Sequence, residues 1–266
     1  MLFVWYYLYM ILITGGAGYI GSHVAAELLE RGEDVVAFDN LSRSGEGRIE
    51  SLMSAFPGRV ALVKGDIRSR EDLDLLFSTH AVSSVVHCAA LKSVPESVAD
   101  PESYDSNNVE GTKNLLGMMA QYNIRRLIFS SSAAVYGDRA GEDIDELEPV
   151  GAPASPYAAT KQECERLIID WSGSSGDRKA VIFRYFNPIG ANPAYGIGDK
   201  SANGEKNVFS AIADAVSNKN PMIIYGDDYS TRDGTCVRDY VHVMDIARAH
   251  ADALEQIGLL PNDITV

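Results

Sequence analysis

Tyr157 and Lys161 stand four residues apart in the stretch Tyr157-Ala158-Ala159-Thr160-Lys161. Side chains at that spacing share one face of a helix. A phenol ordinarily titrates near pH ~10, so an isolated tyrosine is a poor base at neutral pH. An ammonium group close by favours the phenolate and lowers that value. The pair is therefore suited to take the proton from an alcohol that is being oxidised. Taken alone, the same spacing also fits two residues on a solvated helix face. The surrounding chain has to decide.

A second chemical signal lies near the start. Met10-Ile11-Leu12-Ile13 is a short apolar run of strand type, followed by Thr14-Gly15-Gly16-Ala17-Gly18-Tyr19-Ile20-Gly21. From Ser22 to Arg31 apolar residues recur at helical spacing. Strand, glycine turn and helix in this order let the backbone approach a pyrophosphate closely. The helix start offers free N–H groups and the positive end of its dipole to the phosphates. A second strand, Asp34 to Phe38, leads into Asp39. A carboxylate about 20 residues beyond the turn suits the ribose 2′-hydroxyl of NAD and repels the extra phosphate of NADP. The alternative is that Gly18 and Gly21 only permit close helix–sheet packing.

The third signal is Ser130-Ser131-Ser132-Ala133-Ala134-Val135-Tyr136-Gly137, after a strand ending at Phe129. A hydroxyl here can bond a sugar hydroxyl beside Tyr157. A serine-rich turn satisfying its own backbone is the alternative.

These residues need elements to position them. Apolar, β-branched runs occur at Val60–Val63, Val82–His87, Arg126–Phe129 and Ala180–Tyr185. Helical stretches alternate with them at Glu46–Phe56, Arg70–Ser78, Pro101–Tyr122 and Ser155–Trp171. Such alternation predicts an α/β fold, a doubly wound parallel sheet of the Rossmann type. Right-handed crossovers then place ligands at the carboxyl ends of the strands, where each signal above falls. Past Asn187, Gly, Asn, Asp and Pro become frequent, and Asn192–Asn207 reads as a long loop. Two helices follow, near Val208–Ser217 and Met244–Ile257. The expected organisation is a dinucleotide-binding domain over residues 1–186 and a partial substrate-binding lobe over 187–266. Residues 241–257 are expected to pack back on the first domain.

Composition narrows the function classes. The 266 residues are 46% hydrophobic and carry a formal net charge of -14. That acidity argues against nucleic acid or an anionic membrane as a main partner. Cys88, Cys164 and Cys236 lack metal-ligand spacing and read as reduced thiols of a cytoplasmic protein. Met1 to Ile13 is almost wholly apolar, without a basic flank or a small-residue cleavage site, and too short to span a bilayer. Met10 is the expected natural start, with residues 1–9 an upstream extension. An extra strand or interfacial segment is the alternative.

Taken together, the motifs resemble the extended short-chain dehydrogenase/reductase family, and within it the UDP-glucose 4-epimerases. The matching strings are Thr14–Gly21, Asp39-Asn40-Leu41, Gly65-Asp66-Ile67-Arg68, Leu91-Lys92 and Asn107-Asn108-Val109-Glu110-Gly111-Thr112. Further matches are Ser130–Gly137, Ser155-Pro156-Tyr157, Arg184-Tyr185-Phe186-Asn187-Pro188 and Gly234–Tyr240. The resemblance covers Met10 to about Ile257. It implies that Tyr157 is the catalytic acid and base, that Lys161 tunes it and holds the nicotinamide ribose, and that Ser132 orients the sugar. It implies NAD contacts from Gly15, Gly18, Tyr19, Ile20 and Gly21, with Asp39 and Asn40 on the adenine ribose. Asp66 and Ile67 would flank the adenine, and Lys92, Asn107 and Tyr185 would reach the nicotinamide half. Asn187, Asn207 and Arg238 would bind the UDP-sugar. Arg238 suits a pyrophosphate through bidentate charge-assisted bonds, and an ion pair with Asp239 or Asp245 is its alternative role. The implied reaction is interconversion of UDP-glucose and UDP-galactose through a transient 4-keto sugar. A 4-epimerase of UDP-glucuronate or a UDP-pentose, or a non-catalytic NAD-binding fragment, are the competing readings. A full-length chain is expected to form a homodimer.

Departures from the family pattern are equally informative. Sugar 4,6-dehydratases carry an Asp-Glu pair directly after the residue equivalent to Ser132, and nucleotide-sugar decarboxylases keep the glutamate. Here Ala133 and Ala134 stand there, and neither can act as acid or base. Cys88 occupies a position where many epimerases have an aromatic residue. The chain stops at Val266, whereas family members continue, so a truncated substrate lobe is expected. Ile264-Thr265-Val266 reads as the opening of a strand.

Overall fold

In the computed structural model, residues 9–139, 143–199, 208–224, 226–261 and 263–266 are described. The expectations for residues 1–8, and for Asn207 within the 200–207 stretch, lie outside these residues.

The first half alternates strand and helix. It runs β1 (Met10–Thr14), α1 (Tyr19–Glu30), β2 (Asp34–Asp39), α2 (Gly47–Ala55), β3 (Val60–Lys64), α3 (Arg70–Thr79) and β4 (Val82–His87). Next come α4 (Val94–Ala99), α5 (Pro101–Tyr104), a π-helical turn over Asp105–Glu110 and α6 (Gly111–Gln121). Then follow β5 (Arg126–Ser130), α7 (Pro156–Gly173) and β6 (Lys179–Phe183). The rest comprises β7 (Asn187–Ile189), β8 (Ala191–Asn192), β9 (Ile197–Gly198), α8 (Val208–Asn218), β10 (Tyr240–His242), α9 (Val243–Gln256) and β11 (Ile264–Thr265).

Seven strands form one sheet in the order β11-β6-β5-β4-β1-β2-β3, with every pairing parallel. The order reverses between β1 and β4, which marks the switch point where doubly wound sheets bind ligands. Burial on both faces explains the nearly continuous apolar strands. Leu12, Val36, Val85 and Leu127 point into one core layer with Leu73, Leu115 and Ile168 from α3, α6 and α7. Ile11, Ile13, Val35, Val86 and Ile128 point into the other, with Val24, Ile49 and Ala251 from α1, α2 and α9.

Helix α9 thus returns to the sheet and covers it beside α1. Arg31 at the end of α1 pairs with Asp252 (2.6 Å) and Glu255 (2.9 Å) of α9. The segment Ile264–Thr265 lies on the same sheet, beside Ala180 and Val181 of β6. Two expectations are corrected, and one short helix is new. The helix over Pro101–Tyr122 is interrupted by the π-turn, and α4 was not anticipated, being short and without apolar periodicity. The loop expected over Asn192–Asn207 begins with an antiparallel β8–β9 pairing.

Candidate active site

The glycine turn is tight for steric reasons. Gly15 adopts a φ of 67°. A Cβ on Gly15 would lie 2.7 Å from Ala89 N beyond β4, and one on Gly21 would lie 2.3 Å from Gly15 O. Neither position can carry a side chain without moving backbone. Helix α1 starts at Gly18 without a side-chain cap and without an acidic residue in its first turn. Its first N–H groups have no partner within the helix and face an anion-binding position.

That helix start opens into a cleft of about 800 Å³ at the switch point. Gly15, Gly18, Tyr19, Ile20, Gly21, Asp39, Asn40, Ile67, Lys92, Asn107 and Asn187 all line it. Asp39 is buried at the cleft edge. Its carboxylate accepts from Ala17 N (3.1 Å), Leu41 N (2.8 Å) and Ser44 Oγ (3.1 Å). One carboxylate therefore ties the end of β2 to the glycine turn and remains able to accept from a ribose hydroxyl, because two oxygens carry about four acceptor sites. An uncapped helix start, glycines that exclude side chains and a carboxylate at the ribose position fit a dinucleotide with an unphosphorylated 2′-hydroxyl.

Asp66 does not line the cleft. Arg68 binds it through Nε (3.0 Å) and Nη2 (2.6 Å), and Asn40 Nδ2 donates to it at 3.0 Å. The Arg68 hydrogen bonds hold its pKa down to about 2. Asp66 thereby anchors Asn40, which does line the cleft.

Tyr157 and Lys161 sit on the first turns of α7, started by Ser155, whose side chain accepts from Ala158 N. Tyr157 is partly exposed, and its ring meets Tyr104 edge-on with centroids 6.5 Å apart. Lys161 is buried, its Nζ donating to Ser130 O at 2.7 Å and lying 4.6 Å from the Phe129 ring centre. Ser132 caps a short 3-10 turn, its Oγ accepting from Ala134 N at 3.2 Å. Tyr185 follows β6, and burial raises its hydroxyl pKa well above the ordinary tyrosine value. None of these four lines the large cleft. Cys88 connects the two regions: it lines the cleft, and its Sγ lies 3.2 Å from Ser130 Oγ.

Asn187 lines the far side of the cleft and donates from Nδ2 to Asp239 O at 2.9 Å, where β7 pairs with β10. Arg238 is exposed beside it and donates to Val237 O. Asp245, one ion-pair partner considered for Arg238, pairs with Arg248 at 2.7 Å.

Asn108, in the π-turn, belongs to a matched motif but had no role assigned from the sequence. Its Oδ1 accepts from Leu91 N (2.8 Å), and its Nδ2 donates to Leu91 O (3.0 Å) and Thr160 Oγ1 (3.1 Å). It fixes the cleft wall after β4 to the helix carrying Tyr157 and Lys161. The extra residue of a π-turn is a common device at functional sites. Arg48 of α2 was missed. It lines the cleft and donates to Ala17 O (3.2 Å) and Gly198 O (3.0 Å).

Comparison with known proteins agrees with this geometry. Residues 11–265 match the model of the NAD dependent epimerase/dehydratase family. The chain is 41% identical to the UDP-glucose 4-epimerase of Erwinia amylovora over 251 residues, 94% of this chain and 74% of that protein. It is 40% identical to the enzyme of the same name from Bacillus subtilis, over 93% of this chain and 73% of that protein. Among solved structures it resembles UDP-glucose 4-epimerase from Bifidobacterium longum in complex with NAD+ and UDP. The TM-score is 0.88 at 36% identity, covering 93% of this chain and 74% of that one. A Stenotrophomonas maltophila UDP-glucose-4-epimerase with bound NAD and formylated UDP-arabinopyranose matches with a TM-score of 0.86 at 40% identity, covering 93% and 74%. No described helix is long and apolar enough to cross a membrane.

Proposed function

This chain belongs to the NAD dependent epimerase/dehydratase family, and we propose that it is a UDP-glucose 4-epimerase using bound NAD. The carrying observation is the join between cleft and catalytic helix: Cys88 on the cleft wall touches Ser130, whose carbonyl receives Lys161. A dinucleotide site and a Tyr-x-x-x-Lys helix thus meet at the carboxyl ends of β4 and β5.

When bound, NAD supplies reversible oxidation of the sugar C4 carbinol. The chain holds it with Gly15, Gly18, Tyr19, Ile20 and Gly21 at the phosphates and with Asp39 and Asn40 at the adenine ribose. Ile67 serves the adenine, Asp66 acts through Asn40, and Lys92, Asn107 and Tyr185 serve the nicotinamide half. Tyr157 Oη takes the proton of the sugar 4-hydroxyl and later returns it. Lys161 tunes Tyr157 and holds the nicotinamide ribose. Ser132 orients the sugar, and Asn187, Asn207 and Arg238 bind the UDP-sugar. Ala133 and Ala134 supply no acid or base, so elimination of water or loss of carboxylate has no catalyst here.

In this reading residues 1–186 are the dinucleotide-binding unit and 187–266 contribute the substrate side, with α9 and β11 returning to the main sheet. The same reading makes the protein cytoplasmic, as three free thiols suit a reducing compartment, and a homodimer if the chain is full-length. A UDP-pentose 4-epimerase is the second reading, favoured by the arabinopyranose ligand of the Stenotrophomonas relative.

The test is incubation of the chain with NAD and a panel of UDP-sugars, following the products by nuclear magnetic resonance. Conversion of UDP-galactose to UDP-glucose without net consumption of NAD is the expected result. Turnover of UDP-pentoses alone selects the second reading, and NAD binding without turnover of any UDP-sugar makes the chain a non-catalytic binder.

A further inference from the structure

Ser130 ends β5, and its two oxygens serve different partners. The carbonyl carries Lys161 at 2.7 Å. The hydroxyl lies 3.1 Å from Nε2 of His250 and 3.2 Å from Sγ of Cys88. His250 reaches β5 from α9 and is 0% exposed. The reaction above makes no use of it.

The proton positions follow from what each partner can do. His250 Nδ1 lies 2.8 Å from the carbonyl of Ile246. A carbonyl only accepts, so Nδ1 carries the hydrogen. Burial takes the imidazole pKa down to about 4, so the ring is neutral at pH 7 and Nε2 is a lone pair. The Ser130 hydroxyl has one proton, and Nε2 takes it. The Cys88 thiol is then left to donate to Ser130 Oγ, whose second lone pair serves the Tyr185 hydroxyl. Burial raises that thiol to about 11, so it holds its proton throughout the physiological range.

We propose that His250 is a positioning residue that acts through Ser130 on both sides of the site. It fixes the direction of the Cys88 thiol at the cleft wall, and it holds the strand end whose carbonyl supports Lys161. The Lys161 half of this claim rests on the epimerase reading. The thiol half does not depend on that reading.

Loss of the Nε2 acceptor reverses the order. The Ser130 proton turns to the sulfur, the thiol proton is released toward the cleft, and Ser130 loses its tether to α9. Infrared spectroscopy of the S–H stretch reads this directly in the chain without added ligand, the Cys88 band being assigned by subtracting the Cys88→Ala spectrum. His250→Leu and Ser130→Ala are expected to raise the Cys88 band, because a thiol that stops donating has a stiffer S–H bond. His250→Gln places an amide oxygen near the Nε2 position and is expected to keep the band near wild type. In parallel, kcat for UDP-galactose falls about tenfold in His250→Leu with KM nearly unchanged, and His250→Gln recovers most of it. A Cys88 band unmoved in both His250→Leu and Ser130→Ala overturns the proton order. Unchanged kcat alongside a shifted band overturns the coupling to Lys161. Absence of turnover in the wild type contradicts the epimerase reading and with it the Lys161 half, and the infrared result still decides the thiol half.

Discussion

Arg184 and Glu165 form a two-pronged ion pair, with Nη2 2.7 Å from Oε2 and Nε 3.0 Å from Oε1. Their side chains are 10% and 4% exposed. Ser131 Oγ donates to the same carboxylate, and the guanidinium lies 5.0 Å from the Tyr136 ring centre. The pair joins the end of β6 to the middle of α7, the helix that carries Tyr157 and Lys161. Removing one partner leaves a buried charge uncompensated. Arg184→Met should therefore destabilise the chain by about 3–5 kcal/mol in urea unfolding. The double variant Arg184→Met with Glu165→Leu should recover a large part of that loss. A single variant that costs less than about 1 kcal/mol would show that water screens the pair.

The Asp39 carboxylate has a structural and a recognition role, and one substitution separates them. Asp39→Asn keeps an acceptor for Ala17 N or Leu41 N but loses the charge. NAD affinity should fall about tenfold or more, as a charge-assisted hydrogen bond is lost. Discrimination against NADP should narrow, because the repulsion of a 2′-phosphate is gone. Titration calorimetry with both dinucleotides measures each term. Tighter binding of NADP than NAD by the unaltered chain would refute the cofactor assignment.

Tyr157→Phe and Lys161→Met should split in their effects. The phenylalanine variant loses only the transferable proton, so kcat should drop by about 10²–10⁴ while NAD binding stays close to wild type. The methionine variant also loses the cation serving the ribose and leaves Ser130 O without its donor. It should lose activity and NAD affinity together. Steady-state kinetics paired with calorimetry resolves the two patterns, and a loss of NAD affinity in Tyr157→Phe equal to that in Lys161→Met would contradict the division of roles.

Acid sensitivity follows from buried histidines. Burial lowers His250 to about 4 and His87 to about 3, and it also lowers His23. An unfolded chain titrates its histidines near ~6.5. The unfolded state therefore binds these protons first, and folding stability is complete above that value and declines as pH falls toward the folded values. Asp66 contributes stability of the same sign lower down, present above 3.8 and lost toward about 2. Melting temperature should decline steadily from pH 6.5 to 4, less steeply in His250→Gln. An equal slope in that variant would place the His250 titration elsewhere.

Much of this architecture is legible in the sequence, and the illegible parts have physical reasons. Strand β4 is bounded correctly at Val82–His87 because the β-branched Val82, Val85 and Val86 mark a strand whose inner residues are buried between the two core layers. The glycine turn and Asp39 are legible because sterics and ribose recognition demand those residue types. Helix α1 begins three residues earlier than its periodicity indicates, since Tyr19 and Ile20 belong to the glycine motif as well as to the first turn. The π-turn at Asp105–Glu110 is invisible because a shifted backbone hydrogen bond imposes no residue pattern. Asn108, Arg48 and His250 are polar residues whose partners lie far along the chain. No local spacing announces the bond between Ser130 and His250, and packing of α9 behind β5 creates it.

The central claim is that one site oxidises and re-reduces the same C4 of a UDP-hexose, with Tyr157 moving only the hydroxyl proton. UDP-galactose carrying deuterium at C4 tests it most directly, in unlabelled water with the chain and NAD. The account predicts UDP-glucose with the deuterium retained at C4, formed by the wild type and not by Tyr157→Phe. UDP-glucose with hydrogen from solvent at C4, or equal conversion by the Tyr157→Phe variant, would contradict it.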